Sequence, residues 1–233
     1  LSELMRKTQN YNYGIEILYN LGNLEKYPKQ HVRKLGRLTA LYLEGDFFEE
    51  TFSDDVNVID SARLFLDDAL SLAIRNNFKV EEASLQNEMG LFKMRNFTRE
   101  ESVPHLDRSA ALYLELKDSL NYIRPMIHTM ENYIMSNKTK KFDSISKVLL
   151  KLTHGKKWYT VEAELFKMIG KKSAMIGDSL TFYKMNAKAE KNYVQFLKVI
   201  DSKQMLSFKA LYETEKMEKN ASRSSLNTIL KTK

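Results

Sequence analysis

Residues that stop helices recur along this chain at a spacing of about 40, and that spacing limits what the chain can fold into. Gly45-Asp46, Asn96, Asn137-Lys138 and Gly177-Asp178 form one series, in which Asn96 to Asn137 is 41 positions and Asn137 to Gly177 is 40. The first step is longer by about ten, and the surplus lies in one polar insertion, Thr51 to Asp60. A second series falls between these breaks: Gly22-Asn23, Asn76-Asn77, Lys117-Asp118, His154-Gly155 and Asp201-Ser202. Between breaks, apolar residues sit three and four apart, the spacing of one helix face. Two helices per repeat of this length predict a stacked array of helical hairpins, each burying its apolar face against its neighbours. With three prolines and eight glycines in 233 residues, helix breakers are scarce enough for an all-α chain.

Local signals refine the expected elements. Two short helices are expected around Asn10–Gly14, and Pro28 suits the first turn of the next helix. That helix is expected to end at Gly45, a residue that takes the left-handed conformation without cost. Thr98-Arg-Glu-Glu101 reads as a capping box. Ser119 is the expected cap of the following helix, which contains Pro125, and a proline there removes a hydrogen bond and bends the helix. Trp158–Ile176 and Ser179–Ile200 are read as the last hairpin. Asp201 or Ser202 would then cap a terminal helix to about Lys219, ahead of a polar tail. The chain thus divides into an N-terminal hairpin (1–28), hairpin repeats (29–200), a C-terminal helix (201–220) and a tail (221–233).

Charge is unevenly placed. Residues 1–137 carry 16 Lys and Arg against 21 Asp and Glu, whereas residues 138–233 carry 21 against 9, within an overall balance of +7. The basic half is almost purely lysine, with Arg223 its only arginine. Bidentate reading of bases and phosphates favours arginine, so nucleic acid is not the expected partner.

The residues needed for chemistry are missing. Without cysteine, disulfides, thiolate metal sites and cysteine nucleophiles are excluded. His31, His105, His128 and His154 do not pair at helical ligand spacing, and a zinc site needs three or four converging ligands, so no metal is expected. Gly170-Lys171-Lys172-Ser173 lacks the upstream glycine of a phosphate loop, and no Gly-x-Ser-x-Gly elbow occurs. Asp54-Asp55, Asp67-Asp68 and Glu81-Glu82 are adjacent, so on a helix they diverge by about 100° and make poor acid/base pairs. They are read as solvated, or as first-turn residues that complement the helix dipole. The expectation is a non-enzymatic binding domain with no cofactor.

The hairpins resemble degenerate tetratricopeptide repeats. Ile169-Gly170 followed by Gly177-Asp178 has the family spacing, and Ala189 falls where the second helix carries a small residue. Leu41-Tyr42 with Gly45-Asp46-Phe47, and Met89-Gly90 with Asn96-Phe97, match the ends of other first helices. The resemblance covers about residues 29–200 and implies a right-handed superhelical α-solenoid of antiparallel hairpins with a long C-terminal helix. Such arrays bind along the side lined by the first helix of each hairpin. Arg37, Gln86, Lys93, Asn121, Tyr122, His128 and Asn132 are the candidate ligand- or partner-binding residues there.

A narrower resemblance lies in Phe196-Leu-Lys-Val-Ile-Asp-Ser and Ala210-Leu-Tyr-Glu-Thr-Glu-Lys-Met-Glu-Lys219. It is similar to the segment that closes the tetratricopeptide sensor regions of certain bacterial membrane-bound sensor histidine kinases and related regulators. The resemblance implies a periplasmic input domain of a membrane-anchored parent. Leu211, Tyr212 and Glu215 would mark the helix that relays binding, with a homodimer as the candidate assembly. The ligand could be a peptide, a protein or a small molecule. The alternative is a cytoplasmic peptide-pheromone receptor or adaptor built on the same repeats. No apolar run approaches the roughly 18 residues of a membrane span, and the chain begins at Leu1 with no signal peptide, so it is expected to be part of a longer polypeptide.

Overall fold

The computed structural model describes residues 11–22, 24–47 and 58–202. Among the described residues there are nine helices and no strand. They are α1 (Tyr11–Asn20), α2 (Pro28–Phe47), α3 (Val58–Arg75), α4 (Lys79–Asn96) and α5 (Arg99–Glu115). Then come α6 (Ser119–Met135), α7 (Thr139–Thr153), α8 (Tyr159–Met175) and α9 (179–202). The chain falls into two compact units, Leu1–Leu152 and Thr153–Lys233. The first is built of adjacent antiparallel hairpins, the local architecture of an α-solenoid, and the described part of the second holds one hairpin, α8 and α9.

One turn geometry closes most of these hairpins. Asn77, Lys117, Asn137 and Gly177 have φ of 54°, 56°, 56° and 77°. In each case the next amide donates five residues back: Phe78 to Ala73, Asp118 to Tyr113, Lys138 to Tyr133, and Asp178 to Ser173. The left-handed residue itself donates three residues back, to Ile74, Leu114, Ile134 and Ala174 respectively. This paired pattern satisfies carbonyls that a helix end leaves without partners. The next helix is then capped from its own sequence. Asp118 Oδ1 accepts from the Asn121 amide, and Asp178 Oδ1 from the Thr181 amide, at 3.0 Å each. Thr98 Oγ1 accepts from the Glu101 amide at 3.3 Å and donates to Glu101 Oε1 at 3.0 Å.

Four sequence expectations need correction. The helix begun at Pro28 does not stop at Gly45 but runs on to Phe47; a glycine inside a helix costs about 1 kcal/mol and does not by itself end it. Helix α1 runs through Gly14 without a break. Asp118, not Ser119, caps α6, because a carboxylate at that position reaches the Asn121 amide. Helix α9 continues through Asp201 and Ser202, with the Ser202 hydroxyl donating to the Lys198 carbonyl instead of capping a new helix. Helix α6 is continuous across Pro125. The expected helix of residues 201–220 and the tail lie outside the described residues, except for 201 and 202.

Packing follows the apolar faces. In the first unit Ile15 and Leu18 of α1 pack on Leu38, Leu41 and Tyr42 of α2. Val32 and Leu35 of α2, Leu66, Ala69 and Ala73 of α3, and Leu85, Met89 and Phe92 of α4 form the next cluster. Ala83 of α4 meets Leu112 and Tyr113 of α5, with Tyr122 of α6 against them. In the second unit α8 and α9 approach closely at Gly170, where a Cβ would stand 3.4 Å from Asn186 Oδ1 and 3.6 Å from Met185 Cβ. Ala189 is buried.

Among the described glycines the closest approach is at Gly90, where a Cβ would meet Leu106 Cδ2 at 2.6 Å and Cγ at 2.7 Å. Gly90→Val is therefore expected to lower stability by about 1–3 kcal/mol through overpacking. Urea unfolding checks this as a lower midpoint at unchanged slope.

Candidate ligand-binding groove

The first helices of successive hairpins are neighbours: α2 touches α4, and α4 touches α6, in addition to the contacts each makes within its own hairpin. Between α2 and α4 lies a cleft of about 270 Å³. Its apolar lining includes Val32, Leu41 and Leu85, all buried. Gly36 sits on the α2 side, where a Cβ would come within 3.2 Å of Leu85 Cδ2, so a larger residue would narrow the cleft. Arg33 and Arg37 line it from α2, and Glu81, Ser84 and Glu88 from α4.

The charged wall is ordered by ion pairs across the helices. Arg33 Nη2 and Nε lie 2.9 Å and 3.1 Å from Glu81 Oε1, and Lys29 Nζ lies 3.5 Å from the same oxygen. The Glu81 side chain is only 8% exposed, whereas that of Arg33 is 60% exposed. The adjacent Glu82 points away by one helical step. Its Oε1 receives Arg108 Nη2 of α5 at 2.9 Å. The two neighbouring carboxylates are thus not solvated as the sequence suggested; they are buried and divide between two partner helices. They do occupy the first turn of α4, where negative charge complements the helix dipole.

Sequence reasoning placed seven candidate residues along these helices, and the structure gives them different surroundings. Arg37 is exposed and lines the cleft. Gln86 is buried, and its Oε1 lies 2.8 Å from His105 Nδ1, tying α4 to α5. Lys93 pairs with Glu101 at 3.3 Å and lies 4.4 Å over the Phe97 ring, at the turn between α4 and α5. Asn121 Nδ2 donates to Asp118 Oδ2 at 2.7 Å as part of the α6 cap. Tyr122 packs beside Tyr113, and burial raises its phenol pKa. Asn132 is buried, and its Nδ2 donates to Ser102 Oγ at 2.8 Å, joining α6 to α5. Leu211, Tyr212 and Glu215 lie outside the described residues. Arg33, Glu81, Ser84 and Glu88 were not singled out as groove residues. Arg33 and Glu81 are 48 positions apart, so no local spacing announces their pairing.

His128 sits half-buried on α6. Desolvation pushes its pKa down to about 4, with Arg95 and Arg124 adding to the shift and Glu131 opposing it. Among the described residues no group of three or more His, Cys, Asp or Glu is placed to hold a metal ion, and no described helix is long and apolar enough to cross a membrane.

No known protein-family profile matches this chain, and no curated protein matches it either. The fold has counterparts among solved structures. The crystal structure of BtubC (BKLC) from P. vanneervenii superposes with a TM-score of 0.65 at 12% sequence identity, over 84% of this chain and 78% of that one. At this identity the likeness is one of fold, an all-α array of helical repeats.

The state of His128 has a pH signature. Above its unfolded pKa of about 6.5 the ring is neutral in both states and contributes no penalty. As pH falls from there towards about 4, the unfolded chain takes up the proton and the folded chain does not. Stability therefore falls on acidification, by up to about 1.4 kcal/mol per pH unit from this residue. His128→Gln is expected to flatten that part of the stability–pH curve. Denaturant midpoints of both proteins between pH 7 and pH 4 measure the difference.

Proposed function

We propose that this chain is a recognition domain that binds a short extended peptide, or an exposed segment of a partner protein, along α2, α4 and α6. The cleft between α2 and α4 carries this reading. It joins an apolar floor able to take one side chain to a wall of fixed arginines and glutamates, which can meet a peptide's amides and charges. Pockets with few, well-placed polar groups on an apolar floor are the general form of ligand sites. The pairing of Arg33 with Glu81 holds these groups in place before a ligand arrives, so less ordering entropy is lost on binding.

We further propose that binding is read out in signal transduction, as the input domain of a sensor histidine kinase or related regulator on the outer side of a bacterial inner membrane. The similarity of residues 196–219 to the closing segment of such sensors supports this. The parent reading frame discriminates: an apolar run of about 20 residues soon after Lys233 fits a membrane-bound sensor. A helix-turn-helix module before Leu1 with no such run fits the cytoplasmic peptide receptor.

The groove itself is tested by blocking it. Ser84 is exposed and lines the cleft, and its side chain is hydrogen-bonded to the buried Tyr113 of α5, so Ser84→Trp fills the cleft and Ser84→Ala, which loses the same bond, is its control. Peptides selected from a random heptapeptide library on the unmodified chain are expected to bind Ser84→Trp at least about tenfold more weakly than Ser84→Ala, about 1.4 kcal/mol. Selected peptides that bind both proteins equally would place recognition elsewhere.

A further inference from the structure

The cleft between α2 and α4 owes its depth to small side chains. Along α2, Arg33, Gly36, Arg37, Ala40 and Leu41 follow at the three- and four-residue spacing of one helix face, and along α4 so do Glu81, Ser84, Leu85 and Glu88. Gly36 and Ala40 on one stripe and Ser84 on the other are the small members. Gly36 lies in the interior of α2, where glycine is less favourable than alanine. Packing does not demand it. A Cβ there would meet a single atom within 4 Å, Leu85 Cδ2 at 3.2 Å, the free end of a flexible side chain. The missing side chain instead leaves space over Leu85, on a floor where Val32, Leu41 and Leu85 are apolar and buried. The volume, about 270 Å³, falls below the roughly 300 Å³ at which small-molecule pockets begin, and suits one large side chain of a ligand that continues along the surface.

At the rim Arg33 is held by its edge. Its Nε and Nη2 both donate to Glu81 Oε1, at 3.1 Å and 2.9 Å, while the side chain stays 60% exposed. A guanidinium engaged along one edge has its plane set and keeps its flat faces for stacking, and those faces favour aromatic rings. We propose that the cleft is an anchor pocket for one aromatic side chain of the bound peptide, phenylalanine, tyrosine or tryptophan, and that Gly36 sets this preference. The inference rests on the peptide reading of the cleft and narrows it to a class of sequence. The ring occupies the space that Gly36 leaves, against Val32 and Leu85 and within reach of the Arg33 guanidinium. An aliphatic anchor meets the same floor but gains nothing from the guanidinium faces. A charged anchor would be desolvated on an apolar floor. Aromatic side chains also lose little conformational freedom on binding, because they turn about only two bonds.

Heptapeptides selected from a random library on the full 233-residue chain are expected to share an aromatic residue at one position. In the tightest of them, alanine at that position is expected to weaken binding at least about tenfold, and leucine about two- to fivefold, by isothermal titration calorimetry. These comparisons need no altered chain, so they decide whether or not a variant folds. Gly36→Val, whose new side chain takes the space over Leu85, is expected to reverse the order, so that the alanine peptide binds at least as well as the aromatic one. Gly36→Ala is expected to fall between. Arg33→Lys keeps the charge but has no flat face, and is expected to bring the leucine and aromatic peptides level. Peptides that bind Ser84→Trp more weakly than Ser84→Ala yet share no aromatic residue, or keep their preference for it in Gly36→Val, would overturn the anchor and leave the peptide reading standing. Peptides that do not distinguish Ser84→Trp from Ser84→Ala, or a library that yields no binder, would overturn the peptide reading and the anchor with it.

Discussion

The fold depends on the way its helices end. At Asn77, Lys117, Asn137 and Gly177 a single left-handed residue turns the chain and lets two amides satisfy carbonyls of the helix just completed. Such a turn occupies three residues, so the next helix must start at once and run back along the last. Helix lengths of 15 to 18 residues between these turns then keep the hairpins similar in height. In the first unit this repetition makes neighbours of α2, α4 and α6, and the cleft between α2 and α4 exists because of that adjacency. Three of the four left-handed residues are not glycine. Asparagine tolerates this region through its short polar side chain, whereas at Lys117 the conformation costs about 1 kcal/mol.

Two neighbouring glutamates show how one helix serves both neighbours. A single step along α4 rotates the side chain by about 100°, which is enough to send Glu81 to Arg33 on α2 and Glu82 to Arg108 on α5. Burying carboxylates is unfavourable unless each is paired, so the pairs favour the arrangement in which α4 has both partners in register. The arginine heads stay exposed. On the α2 side this sets fixed, solvent-facing donors beside an apolar floor, the combination on which the proposed peptide recognition rests.

Much of the fold was legible because its signals are local. The turn residues Asn77, Asn137 and Gly177, the Thr98–Glu101 cap, and the small residues Gly90, Gly170 and Ala189 announce themselves within a few positions. Gly45 and Asp201-Ser202 misled because a break residue is only a local preference, about 1 kcal/mol for a glycine, which a helix can absorb. The groove was less legible. Periodicity assigns Gln86 and Asn132 to first helices but does not say how deeply a neighbouring helix covers them, and both turn out to be buried ties to α5. The Arg33–Glu81 pair depends on two helices meeting across a hairpin, which no short window of sequence contains.

In an array of this kind each layer senses only the layers next to it. The cleft between α2 and α4 lies between two successive hairpins of the first unit, so a bound segment would act as a local rivet. It would raise the cost of opening those two hairpins by its own binding free energy and leave more distant layers nearly untouched. The first unit would then respond to occupancy as a stack of partly independent plates, stiffened at one joint, and not as a single block.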